Sequence, residues 1–442
     1  DMNIARLNEA LLIYEDPDTG EPVCAPGSSD GCVPYNLFQE GEITQEALDF
    51  IKTDIVMTGR VKTEVWNGTI TGDLEDYGVV IPSASEGIAM AVGAEYRYEW
   101  LKNNPDEVYQ FGGATGQGGG VPLVEAGYFV KEAFLVLGVP IVQDAKGFRD
   151  FSLELGYRYS DYSTSGDFNT YKALLNWAFS DSFRIRGGYN RAVRAPNVWD
   201  LFQPLRFGLG GAADICAGEN PTATAEECAR TGVPLDRYGS VLPNPADQYN
   251  TLGGGNPDLV PETADTITAG VVWTPQSIAG LSITLDYYNI DITDTIDSLG
   301  ADDIIQQCAN TGDPLLCNLI NRDSFYTLWL VPNEGYTQTT TNNIGELQAE
   351  GIDLNFSYLV GLGNAGVLPI DLQGTYSMKN VFTNPLVSYD CIGYFGFQCG
   401  QAKPEWRHRA RVTWESNFGL FLSLAWRHIG EVEVDDASDD PD

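Results

Sequence analysis

The connections of this chain are by turns very short and very long, and they join stretches whose side chains alternate residue by residue between oily and hydrophilic. Those period-two stretches lie near 60–74, 88–101, 125–140, 150–163, 170–180, 183–196, 264–275, 281–296, 335–360, 367–382, 405–416 and 419–434. In "SLELGYRYS", Leu153, Leu155, Tyr157 and Tyr159 oppose Ser152, Glu154, Gly156, Arg158 and Ser160; in "GIDLNFSYL", Ile352, Leu354, Phe356 and Tyr358 oppose Asp353, Asn355 and Ser357. Such alternation gives a strand one apolar and one wet face. The short links are "SDS" at 180–182, "PQSIAG" at 275–280, "GLGNAGV" at 361–367 and "SNFG" at 416–419, and they take turns with long ones at 197–263, 297–334 and 383–404. Consecutive antiparallel strands therefore carry short links at one end and long links at the other.

A soluble sandwich or propeller with long loops also alternates face by face. Segregated link lengths on strands of about ten or more residues are the mark of an outer-membrane β-barrel, apolar outside and polar inside, with short periplasmic turns and long extracellular loops. Closure is required there because lipid offers backbone groups no hydrogen bonds. Trp100, Trp177, Trp273, Trp406 and Trp414 fall at strand ends, where aromatic girdles sit. A helical span is excluded: the longest charge-free apolar run, near "EAFLVLGVPIV", is about ten residues against the roughly twenty that a helix needs. The fold class read here is all-β, an antiparallel transmembrane β-barrel, present as a partial and open barrel of about twelve strands with long extracellular loops.

Composition enters at three points. The 442 residues exceed an ordinary single domain, which one large barrel accommodates. The net charge of −37 argues against nucleic acid as a partner, because phosphate binding needs clustered Lys and Arg. The cysteines form four close pairs, Cys24 with Cys32, Cys216 with Cys228, Cys308 with Cys317 and Cys391 with Cys399, each in a long connection or in the N-terminal stretch 1–59. Zinc sites want C-x-x-C spacing or nearby histidines, and the only histidines are His408 and His428. Local disulfides follow, with an oxidising compartment, and neither a metal nor a cofactor is expected. The chain opens on Asp1 in a polar stretch, so for an exported protein a mature form or a piece is expected.

Helical turns are predicted within the long connections at 44–54, 224–231 and 302–310, where helix formers follow N-terminal acids. The Gly-rich "FGGATGQGGG" at 111–120 lacks the Gly-Lys-Ser/Thr of a phosphate loop and reads as a flexible connection. Against the acidic background, "FRIRGGYNRAVRAPNVWDLFQP" at 183–204 is rich in arginine. Phe183, Ile185, Gly187 and Tyr189 share one face, Arg184, Arg186, Gly188 and Asn190 the other, and Arg191 breaks the parity as a rim or bulge residue would. The same parity in "PEWRHRARVTW" sets Arg407, Arg409 and Arg411 on the wet face and Ala410 and Val412 on the oily one.

Four phrases in order, "GGYNRAVRAPNVWDLF" (187–202), "GGNPDLVPETADTITAGVVWTP" (254–275), "LSITLDYYNIDITDTI" (281–296) and "GELQAEGIDLNFSY" (345–358), resemble the C-terminal barrel half of TonB-dependent outer-membrane receptors. The resemblance implies a β-barrel domain over 1–442, cut at both ends, without the plug domain, the TonB box or the last strands. It implies residence in the bacterial outer membrane among its lipids, no enzymatic activity, and uptake of a scarce solute of the siderophore, cobalamin or oligosaccharide class, driven by TonB through the absent plug and TonB box. Arg184, Arg186 and Arg194, with Arg407, Arg409 and Arg411, would then line the lumen. Ligand contacts are expected in the disulfide-tied loops at Phe325, Tyr326, Trp329, Tyr389, Tyr394 and Phe395, whose rings either stack on a ligand or pack the loop itself. An extracellular all-β carbohydrate-active or carbohydrate-binding protein and a passive porin are the alternatives. A partial barrel is expected to leave two free edges, near residues 60 and 434.

Overall fold

In the computed structural model, which describes residues 1–435 apart from 42, 117–118, 212, 332 and 397–398, twelve long strands follow one another in a meander. They are β1 (Met57–Asp73), β2 (Ala89–Pro105), β3 (Val124–Ala145), β4 (Phe148–Tyr162), β5 (Gly166–Ser180), β6 (Phe183–Arg194), β7 (Glu262–Trp273), β8 (Leu281–Asp297), β9 (Asn342–Gly361), β10 (Val367–Thr383), β11 (Trp406–Glu415) and β12 (Phe421–Ile429). Each pairs antiparallel with its sequence neighbours, and β1 and β12 form the two edges of one open sheet. The free edges expected near residues 60 and 434 are thus present, the second at β12.

The cross-strand registers sort side chains as the alternation predicts. One row runs Phe151, Trp177, Ile185, Val271, Leu285, Leu354, and the next on the opposite face runs Ser152, Asn176, Arg186, Gly270, Asp286, Asp353, Thr375, Arg407. The first face leaves large apolar side chains uncovered: Ile267 is 53% exposed and Leu424 75%. A protein surrounded by water does not expose so broad an apolar surface, whereas lipid covers it.

At one end of the sheet the links at 146–147, 181–182, 274–280, 362–366 and 416–420 are short. The 74–88 link is the long member there, and it folds back on β3. The Gln143 side-chain oxygen accepts from the Ser85 and Glu86 amides at 3.0 and 3.1 Å, and the Gln143 amide donates to Ser83 O at 3.0 Å. Just before it, the β3–β4 register shifts between Pro140 and Val142, because Pro140 has no N–H to give the ladder. At the other end lie the long connections, with one exception: β4 and β5 are joined by a tight turn at 163–165.

The long connections are structured. Helices Gln45–Ile51, Ala225–Arg230 and Ala301–Thr311 fall where helical turns are predicted. Thr44 and Thr224 cap the first two, the latter in a reciprocal capping box with Glu227. Helix Ile4–Leu11 and the short helix Val198–Phe202 are additional. The second of these lies on the arginine-bearing face of the sheet, where Val198 and Leu201 bury themselves against Tyr128, Val130 and Tyr162. All four cysteine pairs are disulfides, with Cα separations of 6.2, 5.6, 5.0 and 5.4 Å in chain order. The Gly-rich stretch at 111–120 lies in the β2–β3 connection, with its residues 117–118 outside the described ones.

Candidate functional site

The arginines of the wet face divide into paired and unpaired. Arg186 reaches across β7 to Asp286 on β8, with Nε to Oδ1 at 2.7 Å. It can do so because position 270 between them is glycine: a Cβ there would lie 1.9 Å from Asp286 Oδ1. Arg194 forms a two-bond pair with Glu262 directly opposite, and Arg411 donates to Ser423 at 3.0 Å. Arg184, Arg407 and Arg409 share the face of Arg186, with no carboxylate at ion-pairing distance among the described residues. Arg191 is not a bulge. The β6–β7 register is unbroken from Arg194 to Phe183, which sets Arg191 on the face of Ile185 and Tyr189. It is neutralised in place by Asp265, at 2.6 and 2.8 Å, with the Tyr171 ring 5.7 Å beneath its guanidinium.

Above the strand ends, the β6–β7 and β8–β9 connections fold together as one body. Four short strands, Arg206–Gly211, Tyr249–Gly253, Ile320–Asn321 and Tyr336–Gln338, make a single sheet, in which Tyr249–Gly253 from the first connection pairs in parallel with Tyr336–Gln338 from the second. The lock is Arg322, 3% exposed at its side chain, facing Asp214 at 1%. Its five N–H groups are all used: two to the Asp214 carboxylate at 2.7 and 2.9 Å, two to Thr231 O and Oγ1 at 3.0 and 3.1 Å, and one to Tyr326 O at 2.9 Å. Arg230 of the first connection donates to the Ala309 and Asn310 carbonyls at 2.7 and 2.8 Å, covering the C-terminal end of helix Ala301–Thr311 in the second. The Cys216–Cys228 and Cys308–Cys317 disulfides pin each half. Burial alone would raise the Asp323 carboxyl, but the Thr327 hydroxyl and the Thr327, Val331 and Phe325 amides donate to it and hold it below its ordinary value.

This body packs two of the six aromatic rings expected as ligand contacts. Tyr326 packs on the buried Cys216, Val233 and Val241 cluster, with the Arg237 guanidinium 5.8 Å from its ring. Trp329 packs on Tyr249, Ile305 and Leu328 and donates its indole N–H to Leu242 O at 3.1 Å. Phe325 is exposed on the turn beside them. In the β10–β11 connection, Tyr389 and Tyr394 meet edge to face at 5.9 Å, and Phe395 pairs with Val434 in a two-residue ladder.

Where the loop body meets the sheet, a cavity of about 460 Å³ opens, lined by polar side chains and glycines: Gln203, Arg206, Thr251, Ser298, Thr339 and Thr341, with Gly208, Gly253 and Gly254 among the rest. Gln203 and Arg206 also line a smaller neighbouring niche of about 120 Å³, walled by Tyr109, Val121, Trp199 and Pro204. None of the six aromatic candidates lines either space. These cavity residues escape sequence reading because three separate connections supply them; the one local cue is Arg206, an isolated cation in "FQPLRFGLGG".

Residues 33–442 match the family described as TonB dependent receptor-like, beta-barrel. The chain belongs to the TonB-dependent receptors. Their barrels lie in the bacterial outer membrane and serve as receptors and transporters, not enzymes. Among solved structures, the ferric enterobactin receptor of Pseudomonas aeruginosa in complex with BCV-L6 matches at a TM-score of 0.54 and 14% identity, covering 84% of this chain and 42% of that one. A Q482A mutant of the same receptor in complex with enterobactin matches at 0.53 and 15%, with shares of 84% and 42%. The TonB-dependent receptor barrel seen here thus spans about two-fifths of the length of these neighbours, and the likeness is one of fold.

Proposed function

We propose that this chain is the ligand-receiving barrel portion of a receptor that takes up a scarce small solute across the outer membrane, driven by TonB. In this reading the plug domain and TonB box belong to the remainder of the receptor, and the face carrying Arg184, Arg186, Arg194, Arg407, Arg409 and Arg411 lines the lumen. The observation that carries the reading is the extracellular mouth. Two connections share one sheet over the strand ends and leave a polar cavity between that body and the barrel sheet, which is how a receptor presents a preorganised site ahead of its channel. A passive porin has no use for such a cover. The docking of helix Val198–Phe202 on the arginine-bearing face supports the lumenal assignment, because an extracellular connection that folds inward meets only the inner wall.

The solute classes that suit such a mouth are ferric siderophores, cobalamin and oligosaccharides. The test is accumulation of labelled members of each class by cells carrying the full-length receptor as their only route. Accumulation against a gradient that stops when TonB is deleted or the proton-motive force is collapsed is the expected result. Equal, gradient-limited entry with and without energy would instead make the protein a porin.

A further inference from the structure

The extracellular cavity carries more hydrogen-bonding capacity than the protein uses. The Gln203 amide, the Arg206 guanidinium and the Thr251, Ser298 and Thr339 hydroxyls have no side-chain hydrogen bond or ion pair among the described residues, although all five line the same 460 Å³ space. Thr341 spends its proton on Gly254 O at 3.3 Å and keeps its oxygen free to accept. Among the described residues, no carboxylate and no aromatic ring lines this space. In a chain with 62 acidic residues against 25 basic ones, Arg206 thus stands with Arg184, Arg407 and Arg409 as a guanidinium left open to an anion, whereas Arg186, Arg191, Arg194 and Arg322 each hold a carboxylate.

The walls are also fixed before anything binds. A Cβ at Gly254 would meet the Leu205 backbone at 2.9 Å, and one at Gly255 would meet Asp200 O at 2.7 Å, so the 203–206 and 253–256 segments lie backbone to backbone. Gly255 N donates to Gln203 O at 2.9 Å and Thr339 N to Leu252 O at 3.0 Å, tying the segments that bear the polar groups. Immobilising these groups in advance removes much of the ordering cost of binding.

We propose that this cavity is a binding site for a short acidic saccharide, with one uronate carboxylate held by Arg206 and Gln203 and sugar hydroxyls exchanging hydrogen bonds with Thr251, Ser298, Thr339 and Thr341. The inference rests on the uptake reading of the same mouth and selects within it. One unpaired guanidinium matches one carboxylate, to which its planar fork bonds in two places. A ferric tris-catecholate, with three negative charges, would find one counter-charge here and an acidic protein around it. Hydroxyls that both donate and accept match polyols, and the volume lies within the roughly 300–1,000 Å³ of small-molecule pockets. The adjoining niche beside Tyr109 and Trp199 gives an apolar sugar face somewhere to lie.

The test is calorimetric titration of the full-length purified receptor with an aldobiouronic acid, one uronate joined to one neutral sugar, and with its carboxyl-reduced neutral counterpart. Wild type is expected to prefer the acid at least tenfold. Arg206→Ala should abolish that preference, weakening the acid at least tenfold more than the neutral sugar, and Arg206→Lys should restore part of it. Thr251→Val should weaken both sugars alike. The proposal is overturned if folded wild type binds neither sugar, or if Arg206→Ala binds the acid as wild type does. Energised accumulation of some other solute without uronate binding sinks this site alone; Arg206-dependent uronate binding without energised accumulation sinks the uptake reading and leaves the site standing.

Discussion

Replacing Arg322 by Met should open the extracellular loop body while leaving the barrel intact. The methionine keeps most of the volume and removes all five N–H donors, so the Asp214 carboxylate, 1% exposed, loses its charged partner and keeps the Cys216 amide, which donates to it at 3.1 Å. Breaking a buried pair from one side costs about 3–5 kcal/mol, because the remaining charge stays buried and uncompensated. At about 1.4 kcal/mol for each factor of ten, the open form of the body should become roughly two to four powers of ten more populated. An exposed pair at a short turn such as Arg149 with Asp181, at 57% and 58%, belongs to the class worth about 0–1 kcal/mol and serves as the control. Hydrogen exchange on the intact receptor reads the effect peptide by peptide. Protection should fall in helices Ala225–Arg230 and Ala301–Thr311 and hold in β6 and β7. The double replacement Arg322→Met with Asp214→Leu should recover part of the loss, since no lone charge remains. Unchanged protection in Arg322→Met, or a loss that spreads through β6 and β7, would refute the idea that this pair locks a separate cooperative body.

Three further outcomes follow from the same geometry. Ile185→Lys should destabilise the receptor in vesicles by about 2–4 kcal/mol, whereas Arg186→Lys on the wet face should cost far less; equal costs in urea unfolding would count against the facing assigned here. Gly270→Ala places a Cβ 1.9 Å from Asp286 Oδ1 and should cost about 1–3 kcal/mol by overpacking, while Asp286→Ala in the same background should relieve it. Asp323 sits below its ordinary value of 3.8, so its contribution is full above that value and is lost as pH falls toward the folded one. Loop-body protection should therefore hold down to about pH 5 and drop below about pH 4, with a smaller drop in Asp323→Asn. Asp303, raised by burial and by the Asp302 charge, acts in the opposite sense, so Asp303→Asn should gain protection at neutral pH.

Much of the barrel is legible in the sequence because its determinant is local. Side-chain facing in a strand depends only on parity, so Ile185 and Arg186 declare their faces without knowledge of any partner. The stretch at 335–360 shows where parity stops helping: 342–361 is β9, while Tyr336–Gln338 leaves for the loop sheet and pairs with Tyr249–Gly253 across a long sequence gap. Nothing within either segment encodes that pairing. Cysteine spacing made the disulfides readable for the same reason as the strands, each partner lying close in sequence. The cavity was not readable, because Gln203, Thr251, Ser298 and Thr339 are ordinary loop residues until the loop body brings them together. Of the two uses that a tryptophan in a loop leaves open, the structure shows packing for Trp329, whose indole lies against Ile305 and Leu328. Arg191, out of step with its strand, suggests a bulge and instead carries its own carboxylate partner, Asp265, into an unbroken ladder.

The facing of β6 underlies both the lumen assignment and the uptake reading, and it can be measured directly. The four disulfides leave no free cysteine among the described residues, so single cysteines placed in turn from 183 to 190 in the full-length receptor can each carry a fluorescent label. Lipid-attached nitroxide should quench labels at 183, 185, 187 and 189, and aqueous iodide those at 184, 186, 188 and 190. Quenching without that two-residue alternation, or with the two sets exchanged, would contradict a lipid-facing row beside a lumenal arginine row.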